Sequence, residues 1–281
     1  MSCHIPNPLF ARAIRIVATW FGAAVLTIVA ASIAQAQTAA PVDPRLGCDQ
    51  APLALPPDLS EPDNIDFFKK RLLNYRCAAY ENDIAKVLGD ARKWVAARAP
   101  EVQRPAIVLD IDETSLLNWP RIYRDDYAYF PSFPGEGCDF KKVGDPCGDL
   151  DWQKSGSAIA IAPTLELYKL ARCIDQPPSC AKVEVFFVTG RREIEYKQEM
   201  PSDWTLRNLN ERGYVGIERD HLYMRDKDST GSVSGHKTAA RSDIEGKGFT
   251  IIANIGDQTS DLAGGHAELT FKVPNPFYFI P

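Results

Sequence analysis

Three short apolar runs, each closing on a cluster of small or acidic residues, constrain this chain more than any other feature. They are "PAIVLDI" (105–111), "VEVFFVTG" (183–190) and "FTIIANIGD" (249–257). Each is too short for a buried helix and rich in β-branched residues, which suits a strand covered on both faces. Apolar residues at helical spacing mark "APTLELYKLARC" (162–173), "WTLRNLNERGY" (204–214) and "HKTAARSDIEGKG" (236–248), and "HLYMRD" (221–226) reads as an extra strand. Strands alternating with helices predict an α/β fold, a Rossmann-like parallel sheet flanked by helices. Ahead of it, residues 64–100 predict an N-terminal helical extension of one or two helices ending near Pro100.

Residues 119–158 interrupt the alternation with four prolines, several glycines and the aromatics Tyr123, Tyr127, Tyr129, Phe130 and Trp152. A long stretch without period, placed just after a strand, predicts an inserted cap over the carboxyl ends of the strands. Its aromatics either stack on a bound group or form the insert's own core.

The first 36 residues read as an export signal: Arg12 and Arg15 precede the apolar "IVATWFGAAVLTIVAASIA", with cleavage placed after Ala36. The apolar run is long for a signal, so an uncleaved membrane anchor is the alternative. After cleavage no stable membrane span is expected. Residues 37–62, rich in proline and polar residues, read as an extended tether, and 63–281 as the folded domain. Cys3 leaves with the signal, and six cysteines stay. Proximity favours Cys138–Cys147 and Cys173–Cys180, leaving Cys48–Cys77 to tie down the amino-terminal arm. No paired CxxC of a zinc site is present, so oxidised staples in a periplasmic or secreted protein are the better reading. Losing Arg12 and Arg15 leaves 30 basic against 37 acidic residues, a net charge of −7. With no basic run, a nucleic acid polymer is a poor partner. Oligomeric state is left open.

The strand ends bring chemistry together. The first gives Asp110, Asp112 and Thr114, the second Thr189, Gly190 and Arg191, the third Asp257 and Asp261. Lys237 opens the predicted helix leading to the third strand. Residues i and i+2 of a strand share a side, so Asp110 and Asp112 would crowd and repel each other there. Carboxylates, a hydroxyl beside a glycine, and a lysine are what a magnesium-dependent phosphoryl-transfer site needs. No histidine has a spaced partner, which disfavours a phosphohistidine route.

"DIDET", "VTGR", a helix-starting lysine and "GDQTSD" stand in the order of the four motifs of the haloacid dehalogenase (HAD) superfamily. Within it, "LDIDETSLLN" and the closing "KVPNPFYFIP" resemble the secreted acid phosphatases grouped with bacterial class B and class C enzymes and plant vegetative storage proteins. The resemblance runs from about residue 60 to the end and implies a HAD fold with a cap between the first two motifs. It also implies a Mg²⁺-dependent acid phosphatase acting on small phosphomonoesters, nucleotide or aryl phosphates among them. In that scheme Asp110 is the nucleophile, ionised without help, and forms an aspartyl-phosphate. Asp112 protonates the leaving alkoxide and then activates water, a role that calls for a raised pKa. Asp257 holds Mg²⁺ with Asp110 and the backbone carbonyl of Asp112. Thr189, the Gly190 amide and Lys237 hold the phosphate, with Lys247 a less suited rival for the lysine. Arg191 either joins them or pairs with Glu193 or another surface acid. Asp261 orients ligands or Lys237, or else caps the next helix, and Thr114 stabilises the turn. Two alternatives stay open: phosphotransfer to another alcohol, and a non-catalytic storage or phosphate-binding protein on the same fold.

Overall fold

The computed structural model describes residues 64–130, 148–174, 180 and 182–280. The chain begins with α1 (Ile65–Ala78) and α2 (Tyr80–Arg98), followed by β1 (Pro105–Leu109), β2 (Leu116–Leu117) and α3 (Trp119–Arg124). It continues through α4 (Gly148–Ser155), β3 (Ile159–Ala160), α5 (Ala162–Ala171), β4 (Glu184–Glu193) and α6 (Pro201–Glu211). It ends with β5 (Leu222–Asp226), α7 (Val233–Gly246), β6 (Thr250–Gly256), α8 (Thr259–Leu262) and β7 (Leu269–Lys272).

The three apolar runs lie side by side in a five-stranded sheet of order β5-β4-β1-β6-β7, parallel throughout. All five residues of β1 are buried, as a central strand covered on both faces requires. On one face, Ile107 and Leu109 join Ile84, Leu88, Ala91 and Val95 of α2 and Leu167 of α5. Their spacing of four, three and four along α2 makes one apolar stripe, and the Trp94 indole fixes the helix by donating to the Ile252 carbonyl at 2.8 Å. Leu88 has no exposure, so Leu88→Ala would cost roughly 2–5 kcal/mol. On the other face, Ala106 and Val108 meet Ala240 and Ile244 of α7.

A bulge in β6 sets the aim of the strand's end. Ala106 and Ile107 are neighbours, yet they pair with Ile251 and Ala253, so Ile252 is the extra residue. One extra residue turns the rest of a strand over. Ile251 therefore packs on the α7 side, whereas Ala253 and Ile255 pack on the α2 side. Asn254 then reaches the Asp261 carbonyl at 2.9 Å.

Three features differ from the sequence reading. Helix α7 starts at Val233, capped by the Ser232 hydroxyl, which accepts from Gly235 N at 3.0 Å. Lys237 thus sits in the second turn and does not open the helix; Ser234 and Gly235 hid the first turn. β7 was not anticipated, because its mostly exposed residues show no alternation. Nor was the two-residue β2–β3 pair, too short to carry a period. Cys173–Cys180 is a disulfide and Cys77 is disulfide-bonded too. The Cys48–Cys77 and Cys138–Cys147 pairings, the signal, the tether and the middle of the expected cap fall outside the described residues. At the flanks of that insert, Trp119 and Trp152 are buried in the core and Tyr123 stacks near Trp119, whereas Tyr129 is 70% exposed. No described helix is long and apolar enough to cross a membrane.

Candidate active site

The carboxyl ends of β1, β4 and β6 and the second turn of α7 converge on a cavity of about 660 Å³. Asp110, Asp112, Gly190, Arg191, Lys237, Asp257 and Asp261 line it, as do Tyr129 and the C-terminal Phe277–Ile280. Strand β1 ends at Leu109, one residue before the first acid, and the chain then turns sharply. The Ile111 carbonyl accepts from the amides of Ser115 at 2.8 Å and Leu116 at 2.7 Å. The Ser115 hydroxyl donates to the Asp110 carbonyl at 2.6 Å. Glu113 takes the left-handed region at φ 57°, a backbone strain of about 1–3 kcal/mol for a side-chain-bearing residue that its surroundings must offset.

This turn gives each acid its own cation. Asp110 Oδ1 accepts from Lys237 Nζ at 2.5 Å, and Lys237 also bonds Asp261. Asp112 is held bidentately by Arg191, with Nε to Oδ2 at 2.9 Å and Nη2 to Oδ1 at 2.7 Å. The expected crowding of two bare carboxylates is therefore relieved by separate pairing. Arg191 is also where the sequence left a choice, and its acid is Asp112, neither Glu193 nor a surface group. Lys247 is exposed and pairs with Asp243, away from the site.

The pairing changes the expected protonation. The enclosed position of Asp112 raises its carboxyl, but Arg191, with help from Asn118 and Arg121, more than offsets this and holds it below the ordinary value. The raised pKa that the proton-carrying role calls for is not what the resting site gives; a bidentate guanidinium outweighs crowding. Burial pushes Asp110 well above its ordinary value, and Asp261, Asp257 and Asp112 add to the rise against the pull of Lys237. Burial thus works against the ionised form of Asp110, which the sequence reading takes to need no help. Lys237 loses by burial and gains more from Asp110 and Asp261, so it stays protonated.

Asp257 accepts from Thr114 at Oδ1 (3.2 Å) and from Gln258 and Asn275 at Oδ2 (2.5 and 2.7 Å). Thr114 thus reaches across to the third motif, and its carbonyl accepts from the Thr164 hydroxyl at 2.6 Å. Asp261 does both things the sequence offered: Oδ1 takes Lys237, and Oδ2 takes the Gln258 amide, capping α8. Gly256 is required here, because a Cβ would collide with the Asp261 carboxylate. Thr189 is fully buried with its hydroxyl accepting from Arg191 N at 3.1 Å, and a Cβ on Gly190 would press on Val233 at 3.3 Å.

Sequence reasoning missed the shell behind these acids. Glu113 is buried and accepts from the Asn118 amide at 2.7 Å and from the Tyr278 hydroxyl. Asn118 links it to Asp112 (2.9 Å), and its own carbonyl oxygen accepts from Trp152 at 2.7 Å. The tail closes this shell. Phe277 packs on Trp119 and Tyr80, Asn275 bonds Asp257, and Ile280 N bonds Gln258 at 3.1 Å. In the sequence, "KVPNPFYFIP" stands out only as a resemblance, since nothing in its spacing signals long-range bonding.

Carboxylate oxygens of Asp110, Asp257 and Asp261 lie within 4.8 Å of one another, all buried. An all-oxygen, acidic donor set suits a hard divalent cation. Both oxygens of Asp261 are engaged, whereas Asp257 Oδ1 has only the long Thr114 bond, so Asp110 and Asp257 are the better ligands.

The site is thus a parallel sheet with two acids at the tip of its central strand, each paired to a buried cation. Residues 66–281 match the family described as HAD superfamily, subfamily IIIB (acid phosphatase). The chain is 32% identical over 204 residues to the stem 28 kDa glycoprotein of Glycine max, covering 72% of this chain and 70% of that one. Acid phosphatase 1 of Solanum lycopersicum is 29% identical over 204 residues, covering 72% and 69%. The class C acid phosphatase from Bacillus anthracis superposes with a TM-score of 0.53 at 19% identity, covering 75% of this chain and 86% of that one, a likeness of fold. The chain belongs to the subfamily IIIB acid phosphatases of the HAD superfamily, and is a phosphomonoester hydrolase.

Proposed function

We propose that this protein is a Mg²⁺-dependent acid phosphatase that hydrolyses small phosphomonoesters through a phosphorylated Asp110. The carrying observation is the buried Asp110–Lys237–Asp261 array beside Asp257. Asp110 attacks phosphorus, the P–O bond to the alcohol breaks, and the alkoxide leaves with a proton from Asp112. Water then attacks the aspartyl-phosphate, giving its proton to Asp112 and freeing Asp110 and phosphate. Lys237 favours the ionised form of Asp110 against burial and adds positive charge at the transferring group. Thr189 and the Gly190 amide cradle phosphate oxygens, where glycine permits a close backbone approach. Asp110, Asp257 and the Asp112 carbonyl would hold the cation, which supplies charge neutralisation between the acidic floor and an anionic substrate.

As found, Arg191 readies Asp112 for the second half of the cycle, when an ionised carboxylate takes a proton from water. An incoming phosphate competes with Asp112 for the same guanidinium. That competition joins the two roles the sequence left open for Arg191 and frees Asp112 to carry a proton in the first half. The oxidised Cys173–Cys180 pair supports export to a periplasmic or extracellular space.

Purified protein given p-nitrophenyl phosphate and Mg²⁺ at mildly acid pH is expected to release nitrophenol. EDTA should stop the release, and Asp110→Asn should lack it at any metal level. Full turnover in EDTA, or by Asp110→Asn with deamidation excluded, would remove this mechanism.

A further inference from the structure

Four of the basic side chains lining the cavity lead to two different environments. Lys237 and Arg191 each bond a buried acid on the floor. Arg192 and Arg225, on the β5 side, have no ion pair with any acid among the described residues, yet both line the same cavity. They are register partners on adjacent strands, Arg192 of β4 against Arg225 of β5. Like charges set directly opposite each other across a sheet are destabilising. Burial lowers the Arg225 pKa, and Arg192 adds to the fall.

Their existing bonds use only part of each guanidinium. Arg192 Nη1 donates to the carbonyls of Lys227 at 3.0 Å and Ser229 at 3.4 Å, and Arg225 Nη2 donates to that of Gly231. The buried Arg225 Nε has no partner. The acids in the next turn do not supply one: Asp226 and Asp228 are exposed, and Asp228 lies 3.9 Å from Lys227. A chain of net charge −5 thus lines its site cavity with two adjacent, anchored guanidiniums that have no counter-ion among the described residues. Guanidinium forks with free N–H groups fit carboxylate and phosphate oxygens.

We propose that Arg192 and Arg225 form a second anion subsite, which takes a carboxylate or second phosphate carried by the leaving part of the substrate. The preferred substrates are then phosphomonoesters bearing a further anionic group, and a neutral alcohol is the poorer leaving part. This rests on the phosphatase reading of the floor and extends it to substrate class.

The test compares monophosphates and bisphosphates of straight α,ω-diols of four and six carbons, following phosphate release. Each pair differs only in the distant anion. Wild type is expected to favour the bisphosphate in kcat/KM by about tenfold at one length or both, through KM, as one charge-assisted contact would give. Either end can react, so about twofold of this is statistical. In Arg192→Gln and in Arg192→Gln/Arg225→Gln the ratio should fall toward that twofold, whatever the absolute rates do. Arg192→Lys, which keeps the charge, should retain part of the preference, and salt should erode the ratio in wild type and Arg192→Lys but not in the double variant. A ratio at both lengths that is the same in wild type and the double variant overturns the subsite while leaving the phosphatase intact. Hydrolysis of none of the compounds, nor of p-nitrophenyl phosphate, overturns both.

Discussion

Asp110 and Asp112 are the same side chain two positions apart, and the fold treats them oppositely. Asp110 is buried against one ammonium that it shares with Asp261, and its carboxyl is pushed up. Asp112 is gripped by both arms of a guanidinium, and its carboxyl is pushed down. A lysine is a point charge and can be shared; an arginine fork fixes a carboxylate in plane. The difference teaches that two acids crowded at one strand tip are set apart by the cation each meets, and the proposed division into nucleophile and proton carrier is built on that asymmetry.

Asp110→Asn tests the nucleophile half and should have the largest effect, a loss in kcat of about 10³-fold or more, read as burst and steady-state nitrophenol release. Asp112→Asn should cost about 10²–10⁴-fold. The loss should be smaller for a good leaving group such as nitrophenolate than for an alkyl phosphate, because only the latter needs a proton. An equal loss on both would blur the proposed division. Next comes the shell behind Asp257. Asn275→Ala removes one of two donors to Oδ2 and should weaken Mg²⁺ affinity about tenfold, measured by calorimetry on the resting enzyme, with Asn275→Asp failing to rescue it.

The smallest effect is one of stability. Burial and then Asp112 raise the Glu113 carboxyl from 4.5 to about 7, against the Tyr278 and Asn118 bonds. A group with a raised folded pKa lends its stability fully below the unfolded value and loses it as pH climbs through the folded one. The melting temperature of wild type, relative to Glu113→Gln, should therefore decline between about pH 4.5 and about pH 7. A constant difference across that window would mean that Glu113 titrates normally.

The sheet was legible because β1, β4 and β6 are buried on both faces, so their runs of Val, Ile and Phe stand out from the helices between them. Lys237, Asp257, Asp110 and Asp112 were legible because each sits at such a strand's end or on the helix beside it. Arg191–Asp112 was not, since the partners are 79 residues apart and the arginine had several acids within plausible reach. The direction of the Asp112 pKa was open for the same reason: crowding is visible in a sequence, and a guanidinium folded onto it is not. Asn275 and Tyr278 act through single long-range hydrogen bonds, which leave no period behind. The bulge at Ile252 is equally silent in an unbroken apolar run.

The central claim is that Asp110, paired with Lys237, becomes phosphorylated during turnover. Acid quenching of wild type in the steady state, followed by borohydride reduction and peptide mass spectrometry, addresses it directly, because an acyl phosphate is reduced to an alcohol and a free carboxylate is not. Reduction at position 110 in wild type, absent in Lys237→Ala and without substrate, is the expected result. Vigorous turnover with no reduction at 110, or with reduction at Asp112 in its place, would contradict the account.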